Sequence, residues 1–175
     1  MNQSFIGSFE NYRLMPEWDD DDAIDGTVMK HGNGKLYFVW SSILRTSPQR
    51  PRCLWIAEMI DPVTVGESKV FLRGPTSDWE THGGPTNEGP YFIYRNNVSY
   101  MVFSASSTYE PDYCLGLMSI DGDKDPMVPS NWWYGDNAPV FYRNDEESVY
   151  TTGHASFTVS NGESLLLYFA LQNLF

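Results

Sequence analysis

Residues 25–41 read DGTVMKHGNGKLYFVWS, residues 88–104 read EGPYFIYRNNVSYMVFS, and residues 154–170 read HASFTVSNGESLLLYFA. Set beneath one another, the three stretches align without a gap. Each opens on a titratable residue (Asp25, Glu88, His154), continues as a short strand, turns at an asparagine, and returns as an apolar strand ending in Ser or Ala. Their starts are 63 and 66 residues apart. A period this long, built from strands alone, indicates the four-stranded blades of a β-propeller. The first strand of each blade lines the central axis of such a fold, so equivalent positions on successive blades converge. Asp25, Glu88 and His154 are therefore expected to share one cleft.

The rest of the chain agrees with an all-β reading. Short apolar runs such as Cys53-Leu54-Trp55-Ile56-Ala57 are separated by turn signals at Asn33-Gly34, Asn96-Asn97 and Asn161-Gly162, and helical periodicity is nearly absent. At 175 residues and 41% hydrophobic content the chain is expected to be a single domain over 1–175. Three hairpins at this period account for at most three blades, whereas a closed propeller needs at least four. An incomplete propeller is the expectation. Aromatic residues make up 15% of the sequence, enough both to fill a core and to offer flat rings to a ligand.

Charge and cysteine content exclude some classes. A formal net charge of −12 repels a phosphate backbone, which argues against nucleic-acid binding. No run approaches the roughly 20 apolar residues of a membrane-spanning helix. The N-terminal MNQSFIGSFE has neither the basic nor the apolar region of a signal peptide. Cys53 and Cys114 read either as a pair, in a secreted protein, or as two buried thiols, the latter slightly favoured. Sequons at Asn2 and Asn97 lend weak support to secretion.

Several motifs, in order, resemble glycoside hydrolase family 43 and its arabinofuranosidase-like members. They are Ile24-Asp25-Gly26-Thr27 followed by GKLYFVWSS, LWIAEMIDPVTV, Gly74-Pro75-Thr76 with Asp78-Trp79-Glu80, Asn87-Glu88-Gly89-Pro90, Asp112-Tyr113-Cys114-Leu115-Gly116, and Gly153-His154-Ala155-Ser156-Phe157. The resemblance covers roughly residues 18–170 and implies a five-bladed propeller that hydrolyses glycosides with inversion. It implies that Glu88 is the general acid and that Asp25, one blade earlier, tunes and orients it. The family's base is an Asp near the start of the first blade, and no counterpart is found in this chain. The run Asp19-Asp20-Asp21-Asp22 lies too close to Asp25 to supply a separate blade and reads as a solvated loop. An inverting glycosidase protonates the leaving oxygen from one side and activates water from the other, with its two carboxyl groups about 6.5–9.5 Å apart. A general acid that works near neutral pH needs a raised pKa, and a like charge close by raises it.

The resemblance also implies that His154 helps hold a structural calcium ion through water, although no cofactor is required for the chemistry. Thr152 and Ala155 depart here from the family's commoner Pro and Asn. Trp40, Trp55 and Tyr91 are candidate platforms for a furanose ring, or core residues. The implied partner is an arabinose-containing polysaccharide or oligosaccharide outside the cell, cleaved at terminal α-L-arabinofuranosyl residues. The alternatives are a β-xylosidase or endo-arabinanase of the same family, or a propeller without its base that binds sugar or is inactive. The S-x-D-x-G-x-T-W boxes of sialidases and the E-C-P acid motif of invertase-like enzymes are absent.

Overall fold

The computed structural model describes residues 22–135, 137–161 and 163–172. The expectations for the N-terminal stretch and for Asp19, Asp20 and Asp21 lie outside the described residues. The chain runs through ten strands: β1 (Ile24–Lys30), β2 (Leu36–Ile43), β3 (Arg52–Asp61), β4 (Thr64–Arg73), β5 (Asn87–Arg95), β6 (Val98–Ala105), β7 (Cys114–Asp121), β8 (Trp133–Tyr134), β9 (Val149–Ser160) and β10 (Glu163–Gln172). Strands β1–β4 and β5–β8 form two four-stranded sheets in sequential order, and β9 pairs with β10. All these pairs are antiparallel. This is the architecture of successive propeller blades, two of them four-stranded and the third represented by its inner hairpin.

Local sequence explains the hairpins. Asn96 and Asn97 both adopt positive φ (51° and 60°), which the two-residue turn between paired Arg95 and Val98 requires and which Asn tolerates better than most residues. Gly34 turns the first hairpin at φ 84°.

Each strand's alternation serves two faces, because a blade is covered on both sides. In β6, Met101, Phe103 and Ala105 pack towards the first sheet with Met29, Val39, Ile56 and Leu72. The intervening Val102 packs with Leu115 and Ala155, towards the third hairpin. In β2, Tyr37 and Val39 join the first cluster, while Trp40 packs with Ala57 and Val65 on the opposite face. The two cysteines are unbridged buried thiols. Burial pushes Cys53 up to about 11 and Cys114 up to about 12, so both stay protonated near neutral pH.

The crossing from the first sheet to the second is fixed by one sealed carboxylate. Glu80, fully buried in the short 3-10 helix Asp78–Glu80, accepts hydrogen bonds from Arg73 Nη2 (2.6 Å) and Nε (3.1 Å) at the end of β4. It also accepts from the amides of Thr76 (2.8 Å) and Ser77 (2.9 Å) and from Asn87 Nδ2 (3.2 Å) at the start of β5. Truncating one partner of such a pair strands the other charge in a dry site. Glu80→Ala is expected to cost about 3–5 kcal/mol of stability, read from the midpoint shift in urea unfolding.

Candidate active site

The inner strands β1, β5 and β9 share one irregularity. In each, three steps along the inner strand match two along its partner: Ile24 to Thr27, Glu88 to Tyr91, and Gly153 to Ser156. At each of these bulges one residue takes a left-handed conformation: Asp25 (φ 57°), Gly89 (φ 56°) and His154 (φ 49°). The bulges make Asp25, Gly89 and His154 the equivalent positions, so the gap-free sequence alignment is off by one at the middle strand. Side chains alternate faces along a strand, so Glu88 presents its carboxylate differently from the position it was aligned with.

Asp25 and His154 nevertheless both reach the head of β5, at Gly89, the residue after Glu88. The Gly89 amide donates to Asp25 Oδ2 at 3.2 Å, so Asp25 grips the residue that follows Glu88. On the other side of Gly89, a Cβ would stand 3.3 Å from Ser104 Oγ and 3.4 Å from His154 Nδ1. Ser104 Oγ in turn accepts from the His154 amide at 2.7 Å, holding β9 to β6.

Glu88 is buried, at 8% exposure. Its Oε1 accepts a hydrogen bond from the Tyr113 hydroxyl at 2.9 Å. Its Oε2 lies 3.8 Å from Arg52 Nε, and Arg52 also pairs with Asp22 at 2.9 Å. Asp22, in the turn before β1 and partly exposed, is thus an ion-paired anchor for the arginine beside the site. Burial, and after it the charge of Glu88, pushes the Tyr113 hydroxyl well above the ordinary tyrosine range. Tyr113 therefore keeps its proton and donates to Glu88 near neutral pH. The Tyr113 ring rests on Gly153, where a Cβ would come within 2.1 Å of it. A recess of about 240 Å³ opens beside this group, lined by Thr108, Tyr113, His154 and Phe169.

Beside it, Asp112 joins three loops. It pairs with His82 Nδ1 (3.0 Å) and Arg143 Nη1 (3.0 Å), and accepts a short hydrogen bond from Tyr142. Burial pushes the Asp112 carboxyl up, but the hydrogen bonds from Tyr142 and His82 and the charge of Arg143 outweigh it and leave the group below its ordinary value.

The three aromatic residues named from sequence stand in different settings. Trp40 is fully buried and stacked on Phe38 at 5.6 Å, so it offers no face to a sugar. Trp55 meets Phe71 edge-on at 5.4 Å and carries the Lys69 ammonium 4.8 Å from its ring centre. Tyr91 donates its hydroxyl to the Phe157 carbonyl at 3.1 Å and packs on the Phe157 ring, fastening β5 to β9. A bare indole or phenol in a strand reads alike for platform and for core. Arg52 and Tyr113 were missed as partners of Glu88, because neither has a local pattern that announces a distant carboxylate. As for a metal, no group of three or more His, Cys, Asp and Glu side chains stands together among the described residues. Calcium takes six to eight oxygen ligands, so the residues present do not fit a calcium ion coordinated directly by protein.

The profile of glycosyl hydrolases family 43 matches residues 1–174. The chain is similar to an extracellular exo-α-(1→5)-L-arabinofuranosidase of Streptomyces chartreusis, 34% identical over 152 residues, covering 86% of this chain and 45% of that one. It is also similar to α-L-arabinofuranosidase B of Pyricularia oryzae, 32% identical over 156 residues, covering 87% of this chain and 32% of that one. The crystal structure of an α-L-arabinofuranosidase from Lactobacillus brevis superposes with a TM-score of 0.80 at 34% identity, over 86% of this chain and 46% of that one. The chain thus spans between about a third and a half of the length of these relatives.

Two outcomes test this geometry. Gly153→Ala should destabilise the protein by about 1–3 kcal/mol through overpacking, and most of that penalty should vanish in a Tyr113→Ala background, a double-mutant cycle readable by urea unfolding. Asp112, depressed in the folded state, contributes stability that is present above its unfolded pKa and lost as pH falls towards the folded value. Between pH 5.5 and 2, unfolding free energy should therefore decline less steeply in Asp112→Asn than in the parent.

Proposed function

The chain belongs to glycosyl hydrolase family 43, and on that premise we propose that it carries the acid half of an inverting α-L-arabinofuranosidase site, with Glu88 as proton donor. The observation that carries the reading is the setting of Glu88: a nearly buried carboxyl with one oxygen held by Tyr113, beside a recess, with Asp25 fastened to the next residue. Tyr113 occupies Oε1, leaving Oε2 as the oxygen able to carry the proton to the glycosidic oxygen as the bond to the sugar breaks. Asp25 fixes the backbone behind Glu88 by accepting the Gly89 amide. Arg52, itself steadied by Asp22, meets the carboxylate charge left after the proton is given up.

Inversion further requires a base on the opposite side of the sugar to activate water. The chain as read from its sequence supplies no counterpart of that base, and the reaction needs one. No cofactor enters these steps, and a cation near His154 would serve the shape of the site through its water shell. The names of the relatives support terminal α-L-arabinofuranosyl residues as the group removed and the outside of the cell as the place of action. The substrate would then be arabinan or the side chains of arabinoxylan, so that the protein serves hemicellulose breakdown.

General base catalysis contributes typically about 10²–10⁴-fold. The 175-residue chain should hydrolyse aryl arabinofuranosides slower by about that factor than a longer chain carrying a carboxylate base. In the longer chain, Glu88→Gln should suppress turnover of arabinan far more than turnover of an aryl arabinofuranoside, whose leaving group needs little protonation. Equal losses on the two substrates would remove Glu88 from the acid role. Sugar binding without any turnover in the longer chain would favour a binding module instead.

A further inference from the structure

The β6–β7 loop, residues 106–113, ends at the tyrosine that holds Glu88, and it carries at its tip the most exposed large apolar side chain among those described. Tyr109 is 93% exposed, against 73% for Ile60, the next in order. A lone exposed tyrosine on a mobile loop would mean little. This loop is instead fastened at both ends and across its middle. The Ser107 amide donates to the His82 carbonyl at 2.9 Å, and the Glu110 amide to the Ser107 carbonyl at 3.0 Å. The Tyr109 amide donates to Ser107 Oγ at 3.3 Å. From β9, Thr151 donates its amide to the Pro111 carbonyl (3.1 Å) and its hydroxyl to the Glu110 carbonyl (3.3 Å). The backbone that presents the ring is thus set in advance.

The neighbour of Tyr109, Thr108, lines the recess beside Glu88 together with Tyr113 and His154. Tyr109 thus follows directly on a residue that lines the recess. Trp40, one of the aromatic residues that sequence marked as a sugar platform, is fully buried and offers no stacking surface. We propose that Tyr109 is a specificity-determining residue, an aromatic platform that stacks on a second sugar ring of an oligosaccharide whose first ring occupies the recess beside Glu88. This deepens the glycosidase reading above and rests on it. An aromatic face suits the apolar C–H face of a sugar ring, and a ring already held in place loses little conformational freedom on binding. Stacking of this kind is worth about three- to tenfold in affinity.

The test is equilibrium binding, by calorimetry or nuclear magnetic resonance, of two probes to the full chain: methyl α-L-arabinofuranoside, which fills one ring position, and α-1,5-linked arabinotriose. The parent chain should bind the trisaccharide more tightly than the monosaccharide. Tyr109→Ala should remove about three- to tenfold of that advantage and leave monosaccharide affinity unchanged, while Tyr109→Phe keeps the advantage. At its exposure the side chain has almost no packing to lose, so a folding defect will not mimic this result. A trisaccharide preference that survives Tyr109→Ala, or one absent from the parent, overturns the platform while leaving the Glu88 reading intact. Failure of the parent to bind the monosaccharide overturns the recess as a sugar site and the platform with it.

Discussion

The buried carboxylate of Glu80 is the interaction on which the rest of the molecule depends. It gathers the last residue of β4, two amides of the connecting turn and the side chain of Asn87, so the exit from one sheet and the entry to the next are tied to a single point. A charge removed from water is costly unless every lone pair is met, and here five donors meet it. What the arrangement secures is registry: the residue after Asn87 is Glu88, and its place at the head of β5 follows from that anchor. A parallel bridge between Arg52 and Thr86 reinforces the same crossing from the first sheet.

Around that fixed strand, the site is assembled by contacts that each join different elements. Asp25 of β1 holds the amide of Gly89 in β5, Ser104 of β6 receives the amide of His154 in β9, and Tyr113, before β7, donates to Glu88. Gly89 and Gly153 are the two positions where this closeness demands the absence of a side chain, the first also for its left-handed backbone. Arg52 sits between two carboxylates, Asp22 and Glu88, and so couples the approach to β1 with the head of β5.

The all-β fold and its three hairpins were legible because strand alternation and turn residues are local signals; Asn96-Asn97 alone nearly fixes its turn. The approach of Asp25 and His154 to the head of β5 was legible too, through the repeat. The one-residue offset at Glu88 was not, because a bulge leaves no mark in a gap-free comparison. The burial of Trp40 was not legible either. An indole in an apolar strand reads the same whether it faces a ligand or packs, as Trp40 does, on Ala57 and Val65 of its own sheet. Tyr113 and Tyr109 lie in a polar loop without period, where only the folded backbone reveals that one points to Glu88 and the other to solvent.

Each inner strand repeats the same kink, with a left-handed residue at it: Asp25, Gly89 and His154. The same kink thus carries a carboxylate, a bare backbone and an imidazole in turn. The backbone device is one thing and the group it presents another, so a repeated scaffold delivers a different chemistry from each blade.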